Sequence, residues 1–124
     1  MIIALGRAEV DPAQLQALRP VLRDIMRCTF DESGCLSYSA AIESEGGDGF
    51  PAVITFAERW ASEADMQCHA ESPHMLAFVE NFGEAIWSVD LKIYDASAER
   101  SMMLTGPTFA KLPLIPGLNG SSAQ

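Results

Sequence analysis

"CLSYSAAIESEGGDGFPAVITFAERW", Cys35 to Trp60, decides the fold. Its first ten residues set Leu36, Tyr38, Ala40 and Ile42 against small and polar neighbours. That is the period of a strand with one polar face. "EGGDGFP" is a glycine-rich loop of the kind that joins hairpin strands. "AVITFAERW" then returns, with Ile54, Phe56, Glu58 and Trp60 on one face. A β-hairpin therefore sits near the middle of the chain.

Working outward, "DPAQLQALRPVLRDIMRCTF" upstream predicts a helix. Asp11 suits the N-cap and Pro12 the first helical position. Leu15, Leu18, Leu22 and Ile25 recur at helical spacing as its buried stripe. Pro20 conflicts with this pattern and is expected to kink the helix. "MIIALGRAEV" before it reads as a strand. Downstream, Ser62 with Asp65 makes a capping-box pattern for a short helix. Ser72 and Pro73 restart a second helix, with Met75, Phe78, Val79, Phe82 and Ile86 as its apolar stripe. "WSVDLKIYDA" alternates Trp87, Val89, Leu91 and Ile93 as the last strand.

The order βαββαβ predicts an α+β, ferredoxin-like domain over residues 1–96, with an antiparallel sheet and both helices on one face. Strands 52–60 and 87–95 read as apolar on both faces. The uncovered face then needs a second layer, and a second copy of the chain supplies one. Residues 97–124 hold three prolines and a polar end. They read as a C-terminal extension, partly extended or disordered.

Composition narrows the function classes. The chain has 124 residues, 48% apolar and 20% charged, with a formal net charge of -9. Its eight Lys and Arg are scattered, so no basic face is available for nucleic acid or an anionic membrane. Cys28, Cys35 and Cys68 are odd in number and lack metal-like spacing, so free thiols are expected. The N-terminus is too short and too soon charged for a signal peptide, and no apolar run nears the ~20 residues of a membrane span. A cytoplasmic location is expected.

Both histidines lie in "WASEADMQCHAESPHM", as His69 and His74. On one continuous helix they would point ~140° apart, and no third ligand has regular zinc spacing nearby, so no metal is expected. Ser72-Pro73 breaks the helix and lets both rings approach one pocket. His69 shares a face with Met66 and looks inward. His74 would sit at a helix N-terminus, which favours its neutral form and suits a general base. Trp60 and Tyr38 could add an aromatic wall and a phenol. Each of these also has an ordinary account: core tryptophan, half-buried strand tyrosine, histidines at a capped helix break. Glu58 reads as a carboxylate that is solvated or paired with Arg7 or Arg59. The residues by themselves reach a dimeric domain with a candidate aromatic pocket, and no reaction.

"SGCLSYSAAIE", "FAERW" and "CHAESPHM" together resemble the antibiotic biosynthesis monooxygenase family, which includes quinol monooxygenases. The shared pattern is Gly-Cys-x-x-Tyr, Glu-x-Trp, nine residues from Trp to His, then His-x-x-Ser-Pro-His-Met. It covers roughly Met1 to Asp95. The resemblance implies a dimeric α+β barrel with a pocket between sheet and helices in each subunit. It implies oxygenation of a phenolic or quinol-type substrate by O₂, without metal, flavin or other cofactor. Under it His74 and His69 are the candidate catalytic residues, and Trp60 and Tyr38 the candidate substrate-binding ones. Related barrels that degrade haem use an asparagine on the first strand, and "IIALGRAEV" has none. The alternative reading is a binding or sensing barrel without catalysis.

Overall fold

The computed structural model describes residues 1–106. The chain forms β1 (Ile2–Val10), α1 (Leu15–Phe30), β2 (Cys35–Ser44), β3 (Ala52–Trp60), α2 (Glu63–Ala70), α3 (Pro73–Phe82) and β4 (Ile86–Asp95). The strands make one antiparallel sheet in the order β2-β3-β1-β4. This is the expected ferredoxin-like arrangement. The expected arm and disordered end beyond residue 106 lie outside the described residues.

Local signals in the sequence account for the element ends. The Asp11 carboxylate accepts from the Ala13 N–H at 2.9 Å, and Pro12 opens a short 3-10 turn that leads into α1. Pro20 lies within one continuous helix. It removes one backbone bond without ending the element. Leu15, Leu18, Leu22 and Ile25 are all buried, as their spacing predicts. Each contributes about 1.5–3 kcal/mol by burial. Ser62 accepts from the Asp65 N–H and starts α2; Ser72 does the same with Met75 at α3.

The core lies between α1 and the sheet. Val10, Leu15, Leu18, Leu22 and Ile54 pack together, and Ile2, Ile25, Tyr38 and Trp60 form a second cluster beside them. Gly6 lies between Leu91 and Phe56, where a Cβ would come within 3.0 Å of Leu91 Cδ1. Glycine at this position lets both side chains cross the sheet surface closely.

Three expectations need correction. The face carrying Ile54, Phe56 and Trp60 is the covered one. The opposite face bears Thr55, Ala57 and Arg59 on β3 and Ser88, Asp90, Lys92 and Tyr94 on β4. It is mixed rather than apolar, with Leu5 exposed among these residues. The apolar row Val89, Leu91 and Ile93 lies across from Ala8, Gly6 and Ala4, on the helix side, yet remains exposed. β4 is an edge strand, and the helices cover the other strands first. Finally, Val79 is exposed and Ile86 belongs to β4, so the stripe of α3 is shorter than its sequence suggests.

Candidate functional site

The site forms where α1 ends, α2 ends and α3 begins. On the sheet below, Tyr38 and Glu58 are direct cross-strand partners, and Trp60 follows on the same face. Trp60 is fully buried and its indole N–H donates to Glu58 Oε1 at 2.9 Å. This replaces the expected arginine partner of Glu58. Arg7 instead pairs with Glu43, and Arg59 with Glu99 in the segment after β4.

His69, in the last turn of α2, lies over this platform. Its ring centroid is 5.0 Å from Trp60 and 5.1 Å from Tyr38. The helix break brings His74 to 5.9 Å from it, ring to ring. Both imidazoles meet a residue that spacing did not reveal. Glu32 Oε2 lies 2.8 Å from His69 Nδ1 and 3.0 Å from His74 Nε2. An ionised carboxylate only accepts hydrogen bonds. The nitrogens facing it therefore carry protons, which leaves Nε2 of His69 as the second nitrogen of that ring. That atom has no hydrogen-bond partner among the described residues.

His74 is differently engaged. Its Nε2 also lies 3.2 Å from Thr29 Oγ1 and 3.3 Å from Ser72 Oγ. The Ser72 hydroxyl donates to the His69 carbonyl at 2.7 Å, so it offers His74 an acceptor. One signal for Glu32 was present in the sequence. It directly follows the helix-ending Asp31, and acidic groups are disfavoured at a helix C-terminus.

A cavity of about 620 Å³ opens between the sheet and α2 and α3. Its walls are mainly apolar, including Phe56, Phe78 and Leu91, with Tyr38, Glu58, Gln67 and His69 as the polar groups. That volume and lining suit a small organic ligand. Of the four residues singled out from sequence, Tyr38 and His69 line this cavity. Trp60 lies beneath His69, and His74 lies behind it with Glu32.

Burial raises the Tyr38 phenol well above its ordinary value, and the nearby carboxylates Glu58 and Glu32 add to the effect. Tyr38 thus stays protonated and can donate. Its hydroxyl has no hydrogen-bond partner among the described residues. The Cys35 thiol is also raised, by burial first and then by Glu32 and Glu58, which disfavours the thiolate. Cys28, Cys35 and Cys68 are free thiols.

Comparison with known proteins gives the chain its relatives. Residues 1–81 match the family model described as antibiotic biosynthesis monooxygenase. Among curated proteins the chain is similar to "Probable quinol monooxygenase YgiN" of Escherichia coli strain K12. The two are 25% identical over 99 residues, which cover 75% of this chain and 95% of the relative. Among solved structures, Rv0793 from Mycobacterium tuberculosis aligns with a TM-score of 0.63 at 28% identity, covering 81% of this chain and 98% of that one. A crystal structure of an antibiotic biosynthesis monooxygenase gives a TM-score of 0.66 over 79% of this chain and 100% of that one. At 19% identity that likeness is one of fold. With the family model matched over more than half its length, the chain belongs to the antibiotic biosynthesis monooxygenase family.

Proposed function

We propose that this protein is a cofactor-independent monooxygenase acting on a phenolic or quinol-type aromatic substrate with O₂. The observation that carries the reading is His69. Glu32 holds its Nδ1 proton, its Nε2 is unpartnered, and its ring borders a mainly apolar cavity. A base held by a carboxylate on one nitrogen and open on the other is the arrangement proton abstraction requires.

Free phenols have a pKa near that of tyrosine, about 10. In this mechanism His69 Nε2 takes the substrate hydroxyl proton. The resulting anion passes one electron to O₂, and the two radicals combine at a ring carbon as a peroxide anion, which takes back the proton from His69 to become the hydroperoxide. Loss of water, formed from the outer OH and the hydrogen on that ring carbon, gives the hydroxylated quinone. One oxygen atom enters the product and the other leaves as water. All four electrons come from the hydroquinone, so the redox work stays with the substrate. Tyr38 donates to a substrate or peroxide oxygen. Trp60 supports the His69 ring from below, and His74 shares the Glu32 carboxylate that fixes the tautomer. The mainly apolar walls lower the polarity around the anion.

The same reading takes the chain as a cytoplasmic homodimer of residues 1–96 with a C-terminal extension. No helix among the described residues is long and apolar enough to cross a membrane. Support for a second copy comes from the exposed row Val89, Leu91 and Ile93 along the helix side of edge strand β4, since a contiguous apolar surface of this kind marks an interface. Sedimentation at micromolar concentration tests it, and a lone 13.4 kDa species would sink it.

The activity test is O₂ uptake by metal-free protein with a panel of hydroquinones. Uptake above the uncatalysed rate, lost in His69→Ala, is expected. No uptake with any quinol, together with reversible binding of quinones, would favour a binding or sensing barrel instead.

A further inference from the structure

We propose that Glu32, His69 and His74 form a binding site for one divalent transition-metal ion of the zinc class, set behind the imidazole that borders the cavity. The three side chains come from the turn after α1, the last turn of α2 and the start of α3, so three separate segments fix them. One carboxylate oxygen, one Nδ1 and one Nε2 all lie within 4.8 Å of one another. The Glu32 oxygen is 2.8 and 3.0 Å from the two nitrogens. Bonds of about 2.0–2.2 Å in a tetrahedral site separate neighbouring donor atoms by roughly 3.3–3.6 Å. Outward shifts of a few tenths of an ångström bring the Glu32 oxygen to that spacing, and the two nitrogens, within 4.8 Å of each other, reach it by inward turns of the rings.

The chemistry of the set also fits. Two imidazoles with one carboxylate suit zinc, and the ligand set alone also suits nickel or ferrous iron. Three protein ligands leave a fourth position, and Thr29 Oγ1 and Ser72 Oγ border it beside His74. The Ser72 hydroxyl bond to the His69 carbonyl holds the break between the helices, which sets the direction of both rings. The side chains of His69, Glu32 and His74 are 7%, 16% and 21% exposed, so an ion can enter without leaving a charged group fully buried.

Without a metal, the Glu32 carboxylate accepts from both imidazoles. The ion takes the place of the protons on those two nitrogens. Its affinity should therefore fall as pH falls, because protons compete for the same lone pairs. Neither Glu32 nor His74 lines the cavity. The ion sits on the far side of His69 from the substrate. Where the preceding functional reading holds, this placement makes metal an inhibitor. Coordination at Nδ1 moves the His69 proton to Nε2, and the nitrogen facing the cavity becomes a donor rather than a base.

The test uses chelator-treated full-length chain with Cys28 and Cys68 replaced by Ser, which removes the two exposed thiols. Zn²⁺ binding is followed by calorimetry and native mass spectrometry, and Co²⁺ by its visible absorption. The expected result is one ion per chain with nitrogen and oxygen ligands. Affinity should fall at least tenfold in Glu32→Gln and in His74→Ala, and stay unchanged in Asp65→Asn. Glu32→Gln preserves side-chain shape, and thermal melts show whether each variant folds. No stoichiometric binding, or binding unaffected by Glu32→Gln and His74→Ala in folded protein, would overturn the site. Turnover that rises with Fe²⁺ would overturn its placement behind the base. Binding is read without substrate, so its failure is separate from failure of the O₂ uptake assay on metal-free protein.

Discussion

Glu32 Oε2 accepts the Nδ1 proton of His69 across 2.8 Å, joining residues 37 apart in the chain. This contact selects which His69 nitrogen can act on a bound molecule. Under the proposed function it favours His69 as the base, whereas the sequence favoured His74 at a helix start. We expect His69→Ala to lower quinol turnover by the ~10²–10⁴-fold typical of a lost general base. Glu32→Ala should cost less, roughly 10–10²-fold, because it loosens the ring without removing it. His74→Ala should cost least. Oxygen-electrode rates for the three variants check the order, and equal rates in all of them and wild type would refute the base assignment.

Trp60 and Glu58 form a buried pair in which one N–H satisfies a carboxylate oxygen. Trp60→Phe removes that donor and leaves the acceptor in place. The expected loss is about 1–3 kcal/mol for the unpaired group, with a further contribution from the space left by the smaller ring. Urea denaturation measures it. A change below about 0.5 kcal/mol would mean that Glu58 finds another donor.

Tyr38 links the pocket to alkaline stability. Its pKa is raised in the folded chain, by burial first, so folding favours the protonated phenol. The contribution is fully present below the unfolded value of about 10 and is lost as pH rises through the folded value. Absorbance titration of wild type against Tyr38→Phe isolates its signal. The Tyr38 phenolate should appear only with unfolding, and stability above pH ~10 should decline less steeply in the variant. Ionisation of Tyr38 near pH ~10 in folded protein would contradict this.

Gly34 connects α1 to β2 with φ +78°, and a Cβ there would lie 2.1 Å from Asp65 Oδ2. Its carbonyl accepts from the Ala61 N–H, and Asp65 accepts from the Ser62 hydroxyl at the start of α2. Gly34→Ala should therefore loosen the helix that carries His69. The backbone alone costs about 1–3 kcal/mol, and the clash adds to it. The double variant Gly34→Ala with Asp65→Ala should recover the part of the clash made by the Asp65 carboxylate, and neither the part made by its Cβ, 2.7 Å away, nor the backbone part. Chemical denaturation of Gly34→Ala, Asp65→Ala and the double variant separates the two, and a Gly34→Ala loss near zero would refute both.

Sequence alone determined the elements and their order, because those follow from local chemistry. Alternation between Cys35 and Trp60, the Asp11, Ser62 and Ser72 caps, and the leucine spacing of α1 each act within a few residues. Ser72-Pro73 also announced the helix break. Tertiary structure decided what depends on contacts across the chain. It brought Glu32 to both histidines, paired Glu58 with Trp60 rather than an arginine, and placed His74 behind the cavity. It also left Val89, Leu91 and Ile93 exposed on an edge strand, where a period-two pattern cannot tell covered from open. Periodicity fixes which face a side chain takes. Which neighbour meets that face is set by packing between segments far apart in the chain.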